Sequence, residues 1–214
     1  KALQDYKPGA IRVWGGLKRL TLESWLSEGW TELRHWHKSN GPGSNANLSL
    51  RQSLELCRAT GADPWLIVYP MYTAEENRRL MEYLAAPPDV GYGRRRAEHG
   101  QREPWTEEFD TIHIECGNET WNKNFKPMAW PNQPEVYAAV VDRQFGQLAA
   151  NPHCDEAKFN FIANGFTHWH GWPRRVGQHA RHAEALSYTV YFGGWDGETI
   201  LGKDDAAFLQ NQLL

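Results

Sequence analysis

The sequence predicts an α/β fold built on a parallel sheet, and three observations predict it. Short apolar runs alternate with amphipathic helical patterns along most of the 214 residues. The run PWLIVYP is continuously apolar, as a strand covered on both faces is. The strand-like runs end in polar or aromatic residues, one after another: Arg12/Trp14, Tyr69, Asn118/Glu119, Asn164 and Tyr191. Uninterrupted strand-helix alternation makes a parallel sheet. An open doubly wound sheet usually carries a glycine-rich phosphate loop after its first strand, and none stands here. Functional residues spread over several strand ends fit a closed eight-stranded barrel instead. Five strands are recognisable, so the expectation is a partial (β/α)8 barrel of about five β/α units. Residues 1–214 would form one incomplete barrel domain, with one strand expected before Lys1 and two after Leu214.

The elements follow in order. AIRVWGG (residues 10–16) reads as a strand ending in a glycine turn. SLRQSLELCRATG (49–61) reads as a helix, with Leu50, Leu54 and Cys57 at helical spacing and Gly61 as its stop. PWLIVYP (64–70) is the second strand. TAEENRRLMEYLAAP (73–87) opens with a capping box, Thr73 and Glu76 three positions on, and ends at Pro87-Pro88. TIHIECGNE (111–119) is a strand. PEVYAAVVDRQFGQLAANP (134–152) is a helix with Pro134 early and Tyr137, Val141, Phe145 and Leu148 on one face. KFNFIANG (158–165) is a strand, WPRRVGQHARHA (172–183) a weaker helix, and LSYTVYFGG (186–194) the fifth strand. Residues 34–47 and 91–105 read as long polar linkers, where functional loops sit.

Composition excludes several classes. Hydrophobic residues are 41% and charged residues 23%, with a formal net charge of -3, which gives no pull toward nucleic acid or anionic membrane. The basic cluster Arg94-Arg95-Arg96 reads as a solvated face. The three cysteines, Cys57, Cys116 and Cys154, have neither disulfide-framework nor metal-ligand spacing. No run is long enough to span a bilayer. The chain starts at Lys1 without a visible signal peptide and both ends look cut, so extracellular and cytoplasmic locations both stay open. Tryptophan is abundant, at 11 residues, most of them in or beside apparent loops. Such rings either line a sugar cleft or pack loops onto the domain.

The chemistry concentrates in TIHIECGNETWN (111–122). Alternation puts Ile112, Ile114 and Cys116 on one face and His113 and Glu115 on the other, toward the barrel interior. Arg12 points the same way in its own strand. A buried carboxylate needs partners, so Glu115 is expected in a structural polar network with Arg12 or His113. Glu119 differs: Gly117 ends the strand and lets Glu119 project at the mouth. A carboxyl group partly withdrawn from water holds its proton to higher pH, and then serves as general acid on a glycosidic oxygen. Asn118 can hydrogen-bond the sugar hydroxyl beside the reacting carbon, and Trp121 can wall the site.

GNETWN after a strand resembles the Asn-Glu signature that ends barrel strand four in clan A glycoside hydrolases. The stretches GADPWLIVYP, TAEENRRLMEYLAAP, YGRRRAEHGQREPW and IHIECGNETWN are similar to the corresponding region of α-L-arabinofuranosidase-type enzymes, and IRVWGG resembles their second strand. The resemblance implies retaining hydrolysis of an oligo- or polysaccharide, Glu119 as acid/base, Asn118 as sugar-binding neighbour, and a nucleophilic glutamate at the end of strand seven, beyond Leu214. Arg12, Trp121 and Tyr191 would line the site. No cofactor and no metal is implied, because two carboxylates perform the reaction. Trp14-Gly15-Gly16 stands where these enzymes typically have Pro-Gly-Gly, and Val190-Tyr191 where they commonly have His-Tyr, so xylosidase or glucanase specificity stays open.

Three other readings compete. Asp196 and Glu198 could supply the second carboxylate, although their glycine neighbours read as a loop. The His35/His37 and His168/His170 pairs could hold a metal in a barrel hydrolase. A binding-only relative would keep the aromatic cleft without a nucleophile.

Overall fold

The computed structural model describes residues 2–15, 20–27, 48–125, 128–166 and 171–188. Five strands form one parallel sheet: β1 (Ala10–Val13), β2 (Asp63–Val68), β3 (Ile112–Cys116), β4 (Phe159–Asn164) and β5 (Ala185–Ser187). Their order in the sheet is their order in the chain. A doubly wound sheet reverses direction at a switch point. Here every crossover steps the same way, which is the winding of a (β/α)8 barrel. The chain is a partial barrel, as the alternation of patterns predicts.

Seven helices are described. α1 (Ala2–Tyr6) and α2 (Leu22–Leu26) are short. α3 (Leu50–Thr60) starts at a capping box of Ser49 and Gln52 and stops at Gly61, whose φ of 69° is left-handed. α4 (Ala74–Ala85) has the expected Thr73–Glu76 capping box. α6 (Pro134–Ala149) begins at Pro134 and buries Tyr137, Val141, Phe145 and Leu148. α7 (Gly171–His179) buries Trp172 and Val176. None of the described helices is long and apolar enough to cross a membrane.

The remaining helix corrects the linker reading of residues 91–105. α5 (Gly91–Glu98) occupies its first half, and a 3-10 turn starts at Trp105. The cause is Arg96. Its guanidinium is fully buried and donates to the carbonyls of Tyr83, Ala86, Gln101 and Arg102. Arg95 pairs with Glu23. The basic cluster is therefore one structural clip with two outward neighbours rather than a wholly solvated face. Residues 34–47, read as the other linker, lie outside the described residues.

Two layers lie on the sheet. Val13, Leu66, Ile114 and Phe161 pair across four strands and join the core beneath the helices. The alternate row, Arg12, Trp65, His113 and Asn160, faces the barrel side, followed by Ile67, Glu115, Ile162 and Ala185. Trp105 and Trp172 are fully buried. Trp105 stacks on Phe109 and Trp172 on Tyr137, so these two rings pack the domain and line no cleft.

Candidate active site

The polar centre of the sheet is built on Glu115, which is fully buried. Four donors reach its two oxygens. Arg12 Nε (2.6 Å) and Trp65 Nε1 (2.8 Å) donate to Oε2. Asn164 Nδ2 and Ser187 Oγ donate to Oε1, the latter at 2.8 Å. The expected network therefore contains Arg12. It does not contain His113, whose Nδ1 meets Asn160 Nδ2 at 3.0 Å and whose ring centroid lies 5.7 Å from that of Trp65. Burial holds the His113 imidazole below its ordinary value of 6.5, against the pull of Asp63.

Sequence reasoning missed Trp65, Asn164 and Ser187 as partners of Glu115. Trp65 is hidden inside an apolar run, yet alternation along PWLIVYP sets it on the same face as Tyr69, and an indole N–H in a barrel interior needs an acceptor.

Above this network the chain turns. Gly117 has φ 75° and Glu119 has φ 42°. A side chain at Gly117 would lie 2.7 Å from Thr120 Cγ2 and 2.8 Å from Pro70 Cγ, so only glycine fits there. A left-handed glutamate is uncommon, and such residues cluster at functional sites. The turn is closed by Asn122, whose backbone N–H donates to Glu119 O at 2.7 Å and whose Nδ2 donates to Glu119 Oε2 at 2.9 Å. Asn164 Oδ1 accepts from Thr120 N at 3.2 Å. Thus the residue that grips Glu115 also anchors the Glu119 loop.

Asn118 is 2% exposed. Its Oδ1 accepts from Arg12 Nη2 at 3.0 Å, while its Nδ2 is buried with no hydrogen-bond partner among the described residues. A buried amide donor left without an acceptor costs about 1–3 kcal/mol, unless a ligand supplies one. Trp121 is half-buried and stacks on Phe166, with ring centroids 4.0 Å apart and planes 14° apart. Arg12, Asn118, Glu119 and Trp121 therefore belong to one end of the sheet, the C-terminal ends of its strands. Tyr191, the remaining expected site residue, lies outside the described residues, as do Asp196, Glu198 and the His35/His37 and His168/His170 pairs. Among the described residues, no three His, Cys, Asp or Glu side chains are grouped as metal ligands.

No protein-family model and no curated protein matches the chain. Solved structures do. The α-L-arabinofuranosidase of Thermotoga maritima, in complex with arabinose, superimposes with a TM-score of 0.68 at 19% identity, over 91% of this chain and 39% of that one. The family 51 arabinofuranosidase of Xanthomonas axonopodis pv. citri gives 0.68 at 20% identity, over 99% and 42%. A family 51 α-L-arabinofuranosidase of Bifidobacterium longum gives 0.70 at 16% identity, over 99% and 41%. The chain spans about two fifths of the length of these enzymes. In fold, it is a partial (β/α)8 barrel, similar to part of the barrels of these arabinofuranosidases.

Proposed function

We propose that the chain is part of a retaining glycoside hydrolase acting on carbohydrate O-glycosidic bonds, α-L-arabinofuranosides or related plant polysaccharide side chains, with Glu119 as general acid/base. The observation that carries the reading is the Asn118–Glu119 turn. A strained glutamate stands at the mouth of a parallel sheet, beside a buried amide whose donor has no partner among the described residues.

In the first step Glu119 gives its proton to the leaving oxygen, and in the second it takes a proton from water. The Asn118 Nδ2 donor meets a hydroxyl of the sugar being cleaved, a contact that strengthens in the transition state. Arg12 fixes the amide by occupying its Oδ1, which leaves only the N–H side for the ligand. Trp121, backed by Phe166, walls the site. The reaction needs a second carboxylate about 5–5.5 Å from the first. Glu115 is unsuited to that role, because all four of its hydrogen bonds are to protein donors and none of its surface is open.

The test is Glu119→Gln in the full-length protein. With an alkyl arabinofuranoside, whose leaving group needs a proton, the rate falls about 10²–10⁴-fold. With an aryl glycoside bearing an acidic phenol, the glycosylation step falls far less. Equal, small losses on both substrates would sink the assignment.

A further inference from the structure

We infer that Trp14 is a stacking platform for a pyranose ring, and so a residue that sets specificity; the inference rests on the glycosidase reading above. Trp14 directly follows β1, at the sheet end that carries the Asn118–Glu119 turn. It is 40% exposed, whereas Trp25, Trp105 and Trp172 are fully buried and Trp65, Trp121 and Trp130 are half-buried. An exposed indole needs something to hold it in place, and two neighbours do. Phe125, from the loop after β3, meets it edge-on, with ring centroids 6.3 Å apart and planes at 65°. The Arg12 guanidinium carbon lies 5.9 Å from its centroid. The same Arg12 donates to Asn118 Oδ1. One side chain therefore touches both the exposed ring and the amide next to Glu119.

The backbone under the ring is fixed as well. A Cβ on Gly15 would lie 2.5 Å from Nε1 of the buried Trp25, so the turn after Trp14 is wedged onto the core. A flat ring braced in this way loses little freedom when a ligand covers it.

The chemistry of the ring selects its ligand. A pyranose with equatorial hydroxyls turns its axial C–H groups outward on two flat, apolar faces, and these match an indole face. A furanose is smaller and puckered, with substituents on both faces, and matches it less well. Trp14 thus favours a β-linked xylo- or gluco-pyranose segment of the substrate, while the polar contacts of Asn118 serve the sugar at the cleaved bond.

The experiment is calorimetric titration of the full-length protein and its Trp14→Ala, Trp14→Leu and Trp14→Phe variants with xylotriose, cellotriose and arabinotriose. Trp14→Ala and Trp14→Leu are expected to weaken one of the pyranose trimers about tenfold, a loss of the size that one aromatic contact provides. Trp14→Phe should hold within about threefold, and arabinotriose should move less than the pyranose trimers. Trp14→Leu keeps bulk without a flat ring and answers the question if the alanine variant fails to fold. Unchanged affinity in folded Trp14→Leu, or no pyranose binding by the parent protein, would overturn the inference. Pyranose binding that depends on Trp14, with no glycoside turned over, keeps the platform and removes the hydrolase reading. Turnover that needs Glu119 but ignores Trp14 does the reverse.

Discussion

At the scale of the residue, Glu115 and Glu119 show how position decides what a carboxylate does. They are four residues apart. Glu115 is inside the strand, fully buried and served by four donors; Glu119 is past a glycine turn, half-buried and left-handed. The contrast was legible in the sequence, because alternation and Gly117 separate an interior acid from a mouth acid. Of its four donors, only Arg12 was. Trp65, Asn164 and Ser187 come from three other strands, and only the register brings them to Glu115. Glu115→Gln is expected to destabilise the fold by about 2–4 kcal/mol, because an amide N–H then faces a donor and Arg12 loses its counter-charge. The figure is below the upper range for a buried pair because the Arg12 side chain is 33% exposed. Urea denaturation measures it, and the pairing with Arg12 makes a specific demand. Arg12→Met should cost much less in the Glu115→Leu background than in the parent, since a pair removed together leaves no orphaned charge.

At the scale of the element, the strands and most helices were readable because each carries its own stop and start signals. The Thr73–Glu76 box, the Gly61 stop and Pro134 at the start of α6 all act where they stand. α5 was not readable. GYGRRRAE has two glycines, three adjacent arginines and little apolar surface, so neither propensity nor periodicity marks it as a helix. Tertiary contact supplies what the local sequence lacks: Arg96 enters the core and gathers carbonyls from the end of α4 and from the loop after α5. This helix should therefore depend on one side chain. Arg96→Met is expected to cost about 3 kcal/mol or more, as several buried carbonyls lose their donor. Arg96→Lys should recover only part of it, since an ammonium cannot span carbonyls arranged for a planar fork. Amide exchange would show the loss first in α5 and residues 99–104. If Arg96→Lys matched the parent, a point charge rather than the guanidinium geometry would be holding the helix.

At the scale of the whole molecule, the charged groups divide into two sets that respond to acid at different pH. His113 belongs to the sheet interior and is held below 6.5 by burial. The carboxylates Glu75, Glu23 and Asp142 belong to the helical surface. Hydrogen bonds from Arg78 and Arg79 lower Glu75 to about 2. Glu23 is raised by burial but lowered on balance by Tyr92 and Arg95. Asp142 is likewise raised by burial, yet contacts with His182 bring it below 3.8. For His113 the unfolded chain takes up its proton first as pH falls, so stability declines from about 6.5 down to the folded value. For the carboxylates stability is full above the ordinary range near 4.5 and is lost as pH falls toward 2. Urea midpoints plotted against pH should therefore fall in two steps. His113→Gln should flatten the upper step and leave the lower one, while Asp142→Asn should shrink the lower step, which Glu75 and Glu23 still carry, and leave the upper one. Added salt should shrink the lower step, whose groups are near solvent, more than the upper one, which arises from desolvation rather than from a partner charge. A single step near pH 4 that His113→Gln leaves intact would mean that the interior row, Arg12, Trp65, His113 and Asn160, is open enough to water for the imidazole to titrate as it does in the unfolded chain.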